Sequence, residues 1–541
     1  MRKHLGSFAC LVAVFAGNVS AESAEPTVFE KLEAQGARIG SIRIVRRQIF
    51  DNSKPKESGW LYRVANRTNA LTREGVIASQ LLFAEGDPIS AQAIEETERV
   101  LRSNKYLYAV DISASPQGDG IVDLTITTRD NWTLFPQIGF TQKGGQTEFL
   151  LGVQESNLAG TGAELTLSIE DDGDRESSTI RYGNRNFLGT WWRFEAGFRD
   201  SDDGDGQRLR LFQPFYSLDS RWSGGLDITT VEQEEPLFSF GDEVAEYRRD
   251  QTDAQAWYGW SSGLVDGWSR RWMVGVAFND DTFEPVFEPN RLVVVPEDRE
   301  LRYPFVRFEA IQDRFVTATN FTRIAITEDV FVGTFYSATL GWFGQSTGSD
   351  RDGAIFDLRA ASSAGDPTKA LASWRVGAAG RVEGGDLRNG RFEFSGSYVR
   401  KQTERASWYA AIESTVAHEP DLDNPVLLGG LTGLRGYERG YGNGDARVVA
   451  TLEQRLITDW YPWRLFRVGG AAFVDAGYVW GDDITGNTVD RVLTNVGVGI
   501  RLMSTRAASN RMVHIDFAVP LNTDDTVDDD FQISIQGKRG F

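Results

Sequence analysis

Residues 164–170 read Glu164-Leu165-Thr166-Leu167-Ser168-Ile169-Glu170. Three aliphatics fall on one face and polar groups on the other, the period-two pattern of a strand with one apolar side and one wet side. The alternation returns in Val448, Ala450, Leu452 and Leu456 against Arg447, Thr451, Glu453 and Arg455. It returns again in Val496, Val498, Ile500 and Leu502 against Gly497, Gly499 and Arg501, and in Phe531, Ile533 and Ile535 against Gln532, Ser534 and Gln536. From Phe135 to Phe541 roughly twenty such segments follow one another, separated by Gly, Asp and Asn turns, with no long helical period among them.

Alternation alone does not say whether the apolar faces meet a second sheet or lipid. Three features favour lipid. The opposite faces carry many charges, as a watery lumen would. Aromatic pairs such as Trp191-Trp192 and Trp460-Tyr461-Pro462-Trp463 sit at segment ends, where interfacial girdles lie. Some 400 strand-patterned residues also need their edges covered, and closure into a barrel removes edges altogether. The expectation is an all-β, antiparallel transmembrane barrel; a secreted β-sandwich array or propeller is the competing architecture. Short turns such as Asn157–Gly162, Phe187–Thr190 and Asp459–Pro462 would face the periplasm. The acidic connections Asp171–Glu176, Asp200–Gly206 and Glu284–Glu300 would face outward. Asn157-Leu158-Ala159-Gly160-Thr161 recurs as Asn186-Phe187-Leu188-Gly189-Thr190, about one hairpin later, and marks two equivalent turns.

Ahead of the strands lies an address. Arg2, Lys3 and His4 precede the apolar Phe8–Ala16 and the small-residue site Val19-Ser20-Ala21, a Sec signal cut after Ala21. The apolar run is too short to cross about 30 Å of hydrocarbon. Cys10, the only cysteine of the 541 residues, lies within it, so the mature chain has no thiol or disulfide chemistry. Loss of Arg2 and Lys3 takes the formal charge from −20 to −22, which excludes nucleic acid as a general partner. With three His in the chain, transition-metal and Cys/His catalysis have few candidate ligands.

Residues 40–131 have a different rhythm. Ile42, Ile44 and Val45 are extended. Thr72 would cap a helix from Glu74 to Phe83 that Gly86 and Pro88 end, and Ser90 would cap a second one carrying Ile94, Thr97 and Leu101. Val110 and Ile112 begin a strand, and Val122, Leu124 and Ile126 alternate with Asp123, Thr125 and Thr127. The order β-α-α-β-β describes a small α+β module whose sheet edge suits an extended peptide.

Several local features carry bland readings. Asp200-Ser201-Asp202-Asp203-Gly204-Asp205-Gly206 lacks the spacing and closing Glu of a calcium loop and reads as a solvated loop. Asp266-Gly267 has no accompanying G-x-S-x-G, so a serine lipase site is unsupported. His418 and His514 are isolated. One stretch differs: Leu428-Gly429-Gly430-Leu431-Thr432-Gly433-Leu434-Arg435-Gly436-Tyr437-Glu438-Arg439-Gly440. Its glycines allow a tight fold back into a lumen, with Arg435 seeking a carboxylate. Alternation aims Glu453 and Asp475 at that lumen, and one planar guanidinium can bridge both acids. Removing one member of such a buried set costs about 3–5 kcal/mol.

Leu434-Arg435-Gly436-Tyr437, the strand Thr451–Leu456 and Phe473-Val474-Asp475-Ala476-Gly477 resemble the surface-antigen barrel of the BamA/TamA superfamily, which includes the two-partner secretion transporters. In that superfamily an R-G-[FY] loop folds into the barrel and its Arg pairs with acids on the next two strands, the roles that Arg435, Glu453 and Asp475 match. The α+β module is similar to a POTRA domain. The resemblance implies about 16 strands, with the surplus segments forming hairpins in the acidic loops. It implies a signal peptide at 1–21, an N-terminal segment at 22–39, a POTRA-like periplasmic domain at 40–131 and an outer-membrane barrel at 132–541. Phe541 would end the last strand as an insertion signal. The implied role is insertion of proteins into, or passage of polypeptides across, the outer membrane of a Gram-negative bacterium. No catalytic residue, cofactor or metal is involved. Implied partners are unfolded polypeptide clients, outer-membrane lipid and lipopolysaccharide, and periplasmic chaperones or accessory lipoproteins. The alternative is a passive pore or surface antigen.

Overall fold

A computed structural model of the chain describes residues 26–143, 146–173, 175–289, 291–508, 512–522, 531–538 and 540–541. The signal-peptide reading lies outside the described residues.

The N-terminal module opens with α1 (Val28–Ala34), started by a reciprocal capping box in which Thr27 and Glu30 exchange hydrogen bonds. Then come β1 (Arg38–Arg47), α2 (Trp60–Thr68), α3 (Glu74–Ala78), α4 (Ala91–Arg102), β2 (Leu107–Gly118) and β3 (Ile121–Asp130). β3 is central, parallel to β1 and antiparallel to β2. Val122, Leu124 and Ile126 alternate inward onto Ile39, Ile77, Ile94 and Leu101 of the module core. Ser90 caps α4 by accepting the Ala93 N–H. The helix expected from Glu74 to Phe83 stops at Ala78. Thr72 does not cap it: its backbone N–H and hydroxyl both donate to the buried Asp130 carboxylate, at 2.7 and 2.9 Å. α1 and α2 are elements that the β-α-α-β-β reading did not contain.

The rest of the described chain is a closed antiparallel barrel of twenty strands, from Leu134–Lys143 to Gln532–Lys538. The count of about 16 is therefore corrected, and the reason is local. Two of the acidic connections are tight turns between staves: one strand ends at Asp171 and the next begins at Glu176, and another ends at Ser201 before the next begins at Gly204. Glu284–Glu300 remains a long connection, between strands that end at Pro285 and begin at Arg299. Asp266-Gly267 is likewise a hairpin turn, with left-handed φ of 52° and 75° at its two residues.

Leu151, Leu167, Ile169, Ile180, Val276 and Leu340 are exposed on the outer wall, an apolar band that requires lipid. Trp191 stacks on Tyr216 at 4.1 Å, and Trp192 meets Trp222 edge-on, where strands join turns. The echoed turns have one geometry: Ala159 and Leu188 have φ of 53° and 56°, and Thr161 and Thr190 each donate their hydroxyl to a carbonyl three residues back at 2.7 Å. Both turns sit at the end of the barrel that carries the module.

Each mouth is covered. The module lies across one. Lys105 pairs with Glu164 at 2.8 Å, Arg185 donates to the Ser103 carbonyl, Leu218 N–H donates to Glu96 at 2.7 Å, and Tyr62 donates to the Trp463 carbonyl. Those partners come from turns spaced round the ring. At the far mouth the long hairpin formed by Trp222–Ser239 and Asp242–Val265 folds over the lumen. Its Leu237, Ala245 and Tyr247 pack with Phe283, Leu422 and Ile484, and Phe240 meets Tyr441 at 5.8 Å.

The closing seam is short. Among the described residues the first and last strands pair only through Ile533↔Gln142, Ser534↔Thr141 and Ile535↔Phe140. At the module end Trp132 instead exchanges backbone hydrogen bonds with Arg506 and Ala508.

Candidate functional site: an arginine-bearing loop inside the barrel

The loop between the strands Ala406–His418 and Ala446–Ile457 begins and ends in a miniature ladder, Val426–Leu428 against Gly442–Gly444. Leu428, Leu434, Tyr437 and Tyr441 are buried against Val449, Val479 and Leu493 of the inner wall, so the apolar residues of the apex anchor it inside the lumen. Two glycines are required by space. A Cβ on Gly429, whose φ is 121°, would lie 2.1 Å from the Glu438 carbonyl oxygen, and one on Gly436 would lie 2.7 Å from Asn495 Cβ. Tyr437 hydroxyl donates to the Thr494 carbonyl at 3.0 Å and accepts the Thr494 N–H at 3.1 Å.

Arg435 is thereby aimed at the wall. Its Nε and Nη2 donate to the two oxygens of Asp475 at 2.9 and 2.8 Å, and Nη1 donates to Glu453 at 3.0 Å. The guanidinium carbon lies 3.3 Å from the centre of the Phe473 ring. Asp475, fully buried, also accepts from Thr451 and Asn495, each at 2.9 Å. The four sequence-singled residues Leu434, Arg435, Gly436 and Tyr437 and the two acids are thus one cluster. Such a set holds its loop in a single position, because releasing the arginine strands two carboxylates in a poorly solvated site. It offers positioning and charge.

Several participants were missed. Arg455 donates to Glu453 at 2.9 Å and lies 3.7 Å over Tyr409. Arg501 donates to Asp516 at 2.6 Å, and Asp516 is 4.0 Å from Arg435. Alternation had placed Arg455 and Arg501 inward, and the same period applied to 512–518 would have found Asp516. A second anchor gave no sequence signal. Asp423 accepts from Arg299 at 2.9 and 2.6 Å, and Asp421 accepts from Arg381 at 2.7 and 3.0 Å. This ties the start of the loop to strands distant in the chain. Phe541 does not lie on the outer wall: its N–H donates to Thr322 carbonyl at 2.8 Å, and Arg455 sits 5.3 Å above its ring inside the barrel.

The fold and the internal loop define an outer-membrane barrel built to hold a segment of itself in its own lumen. Residues 362–538 match the Omp85 superfamily domain, the superfamily whose barrel the Arg435 motif resembles. Among solved structures, BamA from Haemophilus ducreyi lacking POTRA domains 1–3 is 12% identical over 92% of this chain and 84% of that one, with a TM-score of 0.39. CdiB from Acinetobacter baumannii is 11% identical over 93% and 73%, with a TM-score of 0.45. CdiB from Escherichia coli is 12% identical over 92% and 76%, with a TM-score of 0.47. The comparison with curated proteins finds no match.

Proposed function

We propose that this protein assists the insertion of proteins into, or the translocation of polypeptides across, the outer membrane. The observation that carries the reading is the seam. Among the described residues the barrel is closed by three residue pairs, so Leu134–Gly139 of the first strand presents a backbone edge without a described partner on the last. An extended client can add to such an edge by main-chain hydrogen bonding alone, without sequence preference. The N-terminal module, read as a POTRA-like domain in the periplasm, supplies a second edge along β2, which pairs only with β3 among the described residues. Clients would bind there first and pass to the seam. Arg435, held by Glu453 and Asp475, keeps the internal loop in place and takes no part in bond chemistry. Lipid and lipopolysaccharide contact the apolar outer wall, and chaperones or accessory lipoproteins would approach from the module side.

A passive pore has less support, since the module, the long hairpin and the Arg435 loop all occupy the path through the lumen. Photoreactive residues at Ser113 on β2 and at Ile138 beside the seam test the proposal in living cells. Adducts with unfolded outer-membrane or secreted polypeptides at both positions are expected. Adducts with lipid alone at Ile138, and none at Ser113, would contradict it.

A further inference from the structure

Between the neighbouring strands Arg299–Gln312 and Thr334–Phe343 the chain makes a side excursion, the hairpin Phe315–Thr319 and Thr327–Phe331. It is not a stave, because the strands on either side of it pair directly with each other. Its tip is built rather than slack. The buried Glu328 carboxylate accepts the N–H groups of Phe321, Thr322 and Arg323 at 3.2, 2.9 and 3.0 Å and the Thr322 hydroxyl besides. Asn320 caps the far side by accepting the Ala325 N–H at 2.7 Å.

The hairpin is fastened at both ends. At its base Arg102 of α4 donates two hydrogen bonds to Asp329, at 3.1 and 2.9 Å, and Arg99 lies 4.2 Å over the Phe315 ring. At its tip the fully buried Ile324 packs on Met503 and Met512 of the inner wall. There Thr322 carbonyl accepts the Phe541 N–H, while the Gly540 carbonyl lies 2.6 Å from His514 Nε2. The C-terminal tail is thus drawn into the lumen. Among the described residues the last strand parts from the first after Ile535↔Phe140, while its ladder with the preceding strand runs on to Lys538. A cavity of about 680 Å³ opens behind the gap, touched by Ile138, Thr322, Glu328 and Ile535.

We propose that this hairpin is a latch that sets the length of the seam under control of the module. Latched, it holds the tail inward and keeps the seam at three pairs. When α4 lets go of Asp329, the tail is free to continue the existing register outward: Gln536 would pair with Gly139, Gly537 with Ile138 and Lys538 with Gln137, adding three pairs to those described. The latch is the bistable element, and the Arg102–Asp329 pair is its input. The proposal deepens the transport reading by naming what regulates the seam, yet its test needs no client.

Two cysteine pairs report the two states in the full-length protein in lipid vesicles. T322C/G540C reports the inward tail, since a Cβ at Gly540 would lie 2.9 Å from Thr322 Cβ and a small shift reaches the usual disulfide separation. I138C/G537C reports the lengthened seam. In the otherwise unaltered protein the first pair should oxidise at least tenfold faster than the second. Arg102→Ala or Asp329→Asn should slow the first and speed the second by about tenfold, and the charge swap R102D/D329R should restore the original ratio. Retained folding is read from heat-modifiable gel mobility. Equal rates for the two pairs at the outset, or rates indifferent to all three variants in folded protein, would overturn the latch.

Discussion

Arg435 and Asp475 meet through two parallel N–H···O bonds, 2.9 and 2.8 Å long, forty residues apart in sequence and at the inner wall of the barrel. The pair converts a glycine-rich loop into a fixed part of the lumen. Since Asp475 is fully buried and Glu453 nearly so, removal of the cation leaves charge without solvent.

Arg435→Ala should therefore destabilise the docked loop by about 3–5 kcal/mol while leaving the lipid-facing staves intact. The folded gel band should persist, with a lower unfolding temperature and new protease sensitivity between residues 428 and 441. Arg435→Lys should fall between wild type and alanine, because an ammonium cannot make the two-pronged contact.

Gly436→Ala tests the close approach instead of the charge. The added methyl meets Asn495 Cβ at 2.7 Å, an atom fixed to a barrel strand, so the loop must lift. We expect a loss of about 1–3 kcal/mol and the same protease sensitivity as the arginine variant. Unchanged stability would show that the apex has room the structure does not display.

Asp130, in the module and away from the membrane, gives a pH dependence. Burial pushes its carboxyl up to about 6, against the lowering effect of the Thr72 hydrogen bonds. A folded-state value above the unfolded one means that the native state favours the protonated acid. Stability from this group is therefore greatest below the unfolded value near 4, falls as pH rises to about 6, and is flat above. Thr72 hydroxyl also accepts from Asn157 of a barrel turn at 2.8 Å, so the junction should report the change. Protection factors at residues 70–73, with the pH dependence of intrinsic amide exchange divided out, should be higher at pH 5 than at pH 7, and Asp130→Asn should remove that difference.

What the sequence disclosed follows from which interactions are periodic. The staves were legible because each alternates between lipid and lumen, and the raw tally of roughly twenty segments came closer to the twenty strands than the sixteen carried over by resemblance. Glu453 and Asp475 were legible for the same reason. The latch hairpin was not, because Phe315–Thr319 alternates like a stave and differs only in being five residues long. α2 went unread although Trp60, Leu61, Val64 and Ala65 recur at helical spacing, because it is nine residues long, starts at Gly59 without a side-chain cap and buries only Ala65. The pairing of Asp423 with Arg299 joins residues more than a hundred positions apart, and no local spacing encodes it.

Whether this barrel handles polypeptides at the outer membrane is decided by comparing outer-membrane and secreted proteomes in a strain lacking the gene, complemented with wild type or with Arg435→Ala. Loss of a defined set of proteins is expected, restored by wild type and restored poorly by the arginine variant at equal abundance. Proteomes that do not change on deletion would contradict it and leave the passive pore or surface antigen as the better reading.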